Sequence, residues 1–136
     1  MAANYYSDRV TPARIDHPKI DEVIVFGCDR AGMHTGGLAR IAVERWGAQM
    51  GVGEGPQGRC YAIPTTGCSL HETAYAISRL INYARQHRDT RFLVTEVGCG
   101  HAGYTPHEIA PFFSNAVEVE NISLPASFWK ILGLKF

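Results

Sequence analysis

Phe92-Leu-Val-Thr-Glu-Val-Gly-Cys-Gly-His-Ala-Gly-Tyr-Thr-Pro-His-Glu-Ile-Ala110 decides the fold of this chain. Phe92 to Val97 is apolar and β-branched enough for a central strand. Gly98, Gly100 and Gly103 then strip side chains from a short turn, which lets a ligand approach the backbone closely. Thr105 is suited to cap a helix from Pro106 to about Ser114, with Pro106 at its first position and Glu108 three residues after the cap. Free backbone N–H groups at such a helix start attract anions, phosphate above all.

The same order of strand, glycine loop and helix recurs upstream. Glu22 to Phe26 reads as a strand. It runs into Gly27-Cys-Asp-Arg-Ala-Gly-Met-His-Thr-Gly-Gly37, and a helix from Leu38 to Trp46 ends at Gly47. Gly51-Val-Gly-Glu-Gly-Pro-Gln-Gly58 reads as too glycine-rich for regular structure. Cys60 to Ile63 is a short strand stopped by Pro64, and Thr65 to Ser69 forms the next turn. Ser69, with Glu72 at the third position, caps a helix of about 18 residues whose apolar face carries Leu70, Ala74, Ile77, Leu80, Ile81 and Ala84. Downstream, Val117 to Leu124 reads as a strand stopped by Pro125, and Phe128 to Leu134 as an apolar tail that packs on the core or on a second subunit. Residues 1–20 are polar and form an arm that packs on the surface, pairs with an edge or stays loose. Residues 21–136 then make one domain. This order predicts an α/β protein with a mostly parallel sheet and right-handed crossovers, and ligands in such sheets sit beyond the carboxyl ends of the strands.

Composition narrows the function. The chain has 136 residues, 46% hydrophobic and 19% charged, with no net charge. It therefore lacks the basic field of a nucleic-acid or anionic-membrane binder, and no apolar run approaches the roughly 20 residues that span a bilayer. Met1-Ala-Ala-Asn-Tyr-Tyr does not open a secretory signal, so a cytoplasmic address is expected. Cys28, Cys60, Cys68 and Cys99 show no CxxC pair and the six histidines no HExxH pairing, so neither metal nor cofactor is expected. Neither GxGxxG nor GxxxxGK[ST] occurs, which argues against a dinucleotide fingerprint and ATP hydrolysis. Asp29 is suited to accept from a ribose hydroxyl or an adenine amino group, or to cap its own turn. His34 is suited to contact phosphate or act as an acid, or simply to be a hydrogen-bonded loop residue. Tyr104 is suited to stack on a base or ribose, or to fill the space beside the glycines.

Three blocks carry a family resemblance: Val25-Phe-Gly-x-Asp-x-Ala-Gly-x-His34-x-x-Gly37-x-Ala39, Gly51-x-Gly-x-Gly-x-Gln-Gly58-x-x-Tyr-Ala-Ile-Pro-Thr65, and Val97-Gly-Cys-Gly-x-Ala-Gly-Tyr104 with Ile109-Ala-Pro111. Over roughly residues 22–125 the chain resembles small bacterial and phage proteins of macro-domain-like type. The resemblance implies a three-layer α/β/α sandwich that binds ADP-ribose or a related nucleotide. The implied ligand-binding residues are Gly27, Asp29, Gly32, His34, Gly36, Gly37, Gly58, Thr65, Gly98, Cys99, Gly100, His101, Ala102, Gly103 and Tyr104. Asp29 stands where the family shows Asn, and Thr35 where it often shows another glycine. The paired asparagines of the hydrolytic macro domains are missing. A hydrolase that removes ADP-ribose from a conjugate, with Asp29 or His34 assisting a water as catalytic residues, is the alternative. A third reading is a structural or interaction protein without a ligand. Its partner surface, and that of any homo-oligomer, would be the arm and the apolar tail.

Overall fold

A computed structural model describes residues 7–133. The elements in order are β1 (Glu22–Asp29), α1 (Gly37–Arg45), β2 (Gly55–Gln57), β3 (Cys60–Thr66), α2 (Leu70–Gln86), β4 (Arg91–Val94), α3 (Pro106–Ile109), β5 (Ile122–Ser123) and α4 (Ala126–Ile131), with 3-10 helices at Ser7–Arg9 and Ala110–Ala116. The protein is α/β, with one five-stranded sheet in the order β2-β3-β1-β4-β5.

The expected mostly parallel sheet is instead mixed. Strands β3, β1, β4 and β5 run parallel, and β2 pairs antiparallel with β3. The stretch read as too glycine-rich for regular structure makes that antiparallel edge. Gln57 pairs with Cys60 across the two residues Gly58 and Arg59, and a two-residue connection can join only antiparallel strands. Strand β3 also continues through Pro64 to Thr66. Strand β2 pairs only with Cys60–Ala62, so β3 is an edge at Pro64, where a missing N–H is tolerated.

Alternation along β1 sends its side chains to two cores. Ile24, Phe26 and Cys28 join Cys60 and Ala62 against Ala39, Ala42 and Trp46 of the α1 region. Val25, Tyr61, Ile63, Phe92, Val94 and Ile122 meet Ile77, Leu80, Ile81 and Ala84 of α2, together with Phe113, Phe128 and Trp129. Helix α2 begins at the capping box read from the sequence: Ser69 Oγ accepts from the Glu72 N–H, and the Glu72 carboxylate accepts from the Ser69 N–H.

The chain after residue 105 departs from expectation. The capping box at Thr105 and Glu108 forms, but the α-helix lasts only to Ile109 before a 3-10 segment takes over. Pro111 has no N–H to give the carbonyl of residue 107, which favours the tighter winding. Only Ile122–Ser123 of the expected 117–124 strand pairs in the sheet. The segment before it is held by side chains. Asn121 Nδ2 donates to the carbonyls of Ala84, His87 and Thr90.

The described part of the arm pairs with the sheet edge. Val10 bridges Leu124 in parallel: the Thr11 N–H donates to the Leu124 carbonyl at 2.9 Å and the Leu124 N–H to the Arg9 carbonyl at 3.0 Å. The buried Arg9 guanidinium donates to the carbonyls of Ala116, Val117, Val119 and Ile122 at 2.8–2.9 Å and lies 5.3 Å from the Trp129 ring centroid. The Trp129 indole donates back to the Arg9 carbonyl. Farther along, Trp46 Nε1 donates to the Asp16 carbonyl, and Arg59 donates to those of Pro18 and Lys19. The described part of the arm is thus fastened near residues 9–11 and again at residues 16–19. Phe128 and Trp129 of the apolar tail are fully buried within the same chain. Residues 1–6 of the arm and 134–136 of the tail lie outside the described residues.

Candidate ligand-binding cleft

Because β1, β3 and β4 are parallel, their carboxyl ends meet at one edge of the sheet, and a cleft of about 1010 Å³ opens there. Its floor is Gly27, Thr65, Thr66 and Thr95. One wall is α1, presenting Leu38, Ile41 and Arg45 from a single helical stripe. The facing wall is the arm, Val10 to Asp16, and the loop 96–102 with Pro125 to Ser127 closes the rest.

Of the residues expected to bind ligand, Gly27, Gly36, Gly37, Thr65, Gly98, Cys99, Gly100, His101 and Ala102 line this cleft. Three chain segments far apart in sequence are brought together. At Gly27 the approach is close: a Cβ there would sit 3.2 Å from the Gly98 nitrogen and from Thr65 Oγ1. The remaining expected residues lie elsewhere. Asp29 Oδ1 accepts from the Met33 N–H at 3.0 Å, which is the turn-capping role. His34 is buried edge-to-face on Phe26, with Nε2 3.1 Å from the Val52 carbonyl. Gly32 packs on the backbone of Val52. Gly58 sits in the β2–β3 turn, at the amino end of β3 and so at the far end of the sheet. Gly103 and Tyr104 close the back of the glycine loop, with N–H groups donating to Gly100 and Gly98, and the Tyr104 hydroxyl donates to the Cys68 carbonyl at 2.7 Å.

Two sets of backbone donors border the cleft. None of the N–H groups of Gly98, Gly100, His101 and Ala102 donates a hydrogen bond to a described residue. Helix α1 is preceded by Gly36 at its N-cap, whose absent side chain leaves the first turn without a side-chain cap, and the leading N–H groups of such a turn have no intrahelical acceptor. Both sets carry the partial positive charge that suits an anion.

The cleft's carboxylates are Asp16 and Glu96. Asp16 pairs with Arg14 at 3.4 Å and Arg45 at 3.8 Å, and Glu96 accepts from the Ser127 hydroxyl at 2.5 Å. The Cys99 thiol is pushed up to about 11 by burial, with the charges of Glu96 and Glu108 adding to it. That is the reverse of an activated nucleophile. Burial likewise raises Cys28, Cys60 and Tyr61 to about 12. The folded state therefore favours the neutral forms, and their stability contribution is complete below the unfolded thiol value of roughly 8.5. The urea midpoint should hold through pH 8 and fall progressively from about pH 9 to about pH 12. A midpoint that stays level to pH 11 would show that the thiols ionise freely in the native state.

Sequence reasoning passed over Asp16, Arg45, Thr66, Thr95, Glu96 and Ser127, all of which line the cleft. Thr66, Thr95 and Glu96 had a signal, since each falls where a strand turns into its loop. Asp16 and Ser127 had none, because they reach the cleft through the pairing of Val10 with Leu124. No family model matches this chain, and neither does any curated protein or solved structure.

Proposed function

We propose that the cleft binds ADP-ribose or a related nucleotide, on a three-layer α/β/α, macro-domain-like arrangement with α1 on one face of the sheet and α2 on the other. The observation that carries this reading is the pair of donor sets, the N–H groups of Gly98 and of Gly100 to Ala102 and the uncapped first turn of α1, on the borders of one cleft. A diphosphate between them accepts from both. The half-exposed Leu38 and Ile41 offer an apolar surface to a base, and the volume matches that of sites for ligands of this size. Binding is favoured over hydrolysis, because Asp29 and His34 stand outside the cleft lining, with Asp29 Oδ1 taken by the Met33 N–H and His34 Nε2 set against the Val52 carbonyl.

Gly100→Val tests the phosphate loop. Gly100 is exposed, lines the cleft, and a Cβ there meets nothing within 4 Å, so the variant should fold with an unchanged melting temperature while it adds bulk to the loop that borders the cleft. Wild-type protein at ADP-ribose one hundred times the dissociation constant should gain about 2.7 kcal/mol of stability. The variant should bind at least roughly tenfold more weakly by calorimetry, about 1.4 kcal/mol. Wild-type affinity in the variant would remove the loop from the site. No response of the wild type to ADP-ribose, AMP or NAD would remove the nucleotide reading altogether.

A further inference from the structure

We infer that Glu96 and Ser127 together form a subsite for the vicinal hydroxyls of a ribose, a reading that rests on the nucleotide assignment above and specifies which part of the ligand each region takes. Both residues line the cleft. The Ser127 hydroxyl spends its single hydrogen on Glu96 Oε2 at 2.5 Å. Its oxygen is left with lone pairs only, and the carboxylate accepts but cannot donate. The pair therefore presents two adjacent acceptors and no donor. A cis-diol, with two adjacent O–H donors, is the complement of that arrangement.

Charge separates this subsite from the rest of the cleft. Asp16 is held between Arg14 and Arg45, whereas none of the ion pairs among the described residues involves Glu96. Its negative charge repels a phosphate placed against it, so the phosphates belong with the unpaired N–H groups of Gly100 to Ala102 and the start of α1. What remains for Glu96 is a neutral donor. A carboxylate reading ribose hydroxyls beside a backbone phosphate cradle is an economical division of labour, since each uses the group whose charge suits it. Ser127 fixes the carboxylate's orientation before the ligand arrives, which lowers the ordering cost of binding.

Calorimetry of wild type, Glu96→Ala and Glu96→Gln with ADP-ribose, ADP and 2′,3′-dideoxy-ADP tests the subsite. Glu96 is exposed and outside both cores, so the variants retain the fold. Glu96→Ala should weaken ADP-ribose roughly tenfold or more, and Glu96→Gln less, because the amide keeps one acceptor without the charge. If ADP-ribose and ADP weaken alike while dideoxy-ADP does not, the hydroxyls are those of the nucleoside ribose. If only ADP-ribose weakens, they are those of the terminal ribose. Either result supports the subsite. Unchanged or tighter ADP-ribose binding in Glu96→Ala, or an equal loss for dideoxy-ADP, overturns it and leaves the nucleotide reading standing. A wild type that binds none of the three ligands overturns both.

Discussion

Arg9→Ala should lower stability by about 3–5 kcal/mol and the melting temperature by roughly 10–20 °C. One buried guanidinium serves four carbonyls, of Ala116, Val117, Val119 and Ile122, and covers the Trp129 ring. Ala116 ends the 3-10 helix and Val117 follows it, so these are the carbonyls that a helix end leaves without intrahelical donors. Truncation strands them in a site that water enters poorly, and a buried polar group without a partner costs more than the bond itself contributed. Arg9→Lys should recover only part of the loss, because one ammonium cannot spread its donors over the same arc as a planar fork. The test is a thermal and urea melt of the three proteins. An Arg9→Ala midpoint within 1 °C of wild type would mean these bonds merely replace equivalent bonds to water. On the proposed function, the variant should also bind nucleotide less tightly, because the wall from Val10 to Asp16 loses the anchor at its start.

Gly53→Ala should prove as damaging, by about 3 kcal/mol or more, through a different cause. A Cβ at Gly53 would lie 2.1 Å from the Arg30 carbonyl oxygen and 2.8 Å from its carbon. Both are main-chain atoms just past β1 and cannot swing aside. The constraint is space alone, since the backbone at Gly53 is outside the left-handed region. Gly100→Ala is the matched control, with open space around its Cβ, and should change stability by no more than about 0.5 kcal/mol. Comparable melts for the two alanine variants would show that the contact between segments 29–30 and 53 relaxes freely.

The readable parts of the sequence were those governed by neighbours in the chain. Ser69 with Glu72 and Thr105 with Glu108 mark two helix starts through contacts three residues apart, and both capping boxes form. Glu22 onward shows a strand by its β-branched run, and α2 by its periodicity. What stayed hidden depended on partners far along the chain. Val117 to Leu124 has the composition of a strand, yet Arg9 and Asn121 bind it in another shape. Val94 ends β4 three residues before Val97, and just past it the Thr95 N–H makes the last ladder bond to the Val25 carbonyl at 3.1 Å while the Thr95 hydroxyl donates to the same oxygen at 2.6 Å, a contact that depends on a residue 70 positions away. In the cleft, the glycines of 27, 36–37 and 98–100 were legible because close approach needs residues without side chains. Glu96 and Ser127 were not, since a lone carboxylate and a lone hydroxyl have no pattern until the fold sets them side by side.

The two-ended fastening of the arm also bears on when the cleft comes into being during synthesis. Arg9 and the residues it grips are separated by 107 to 113 positions, and the indole that binds its carbonyl is 120 positions away. An emerging polypeptide can assemble β1, α1, β3 and α2 early, but the arm has nothing to grip until residues 116–129 have left the ribosome. Non-local closures of this kind are slow, and domains complete them last. A nascent chain arrested before residue 116 would therefore carry the glycine loops yet lack one side of the cleft, which is complete only as translation of this region ends.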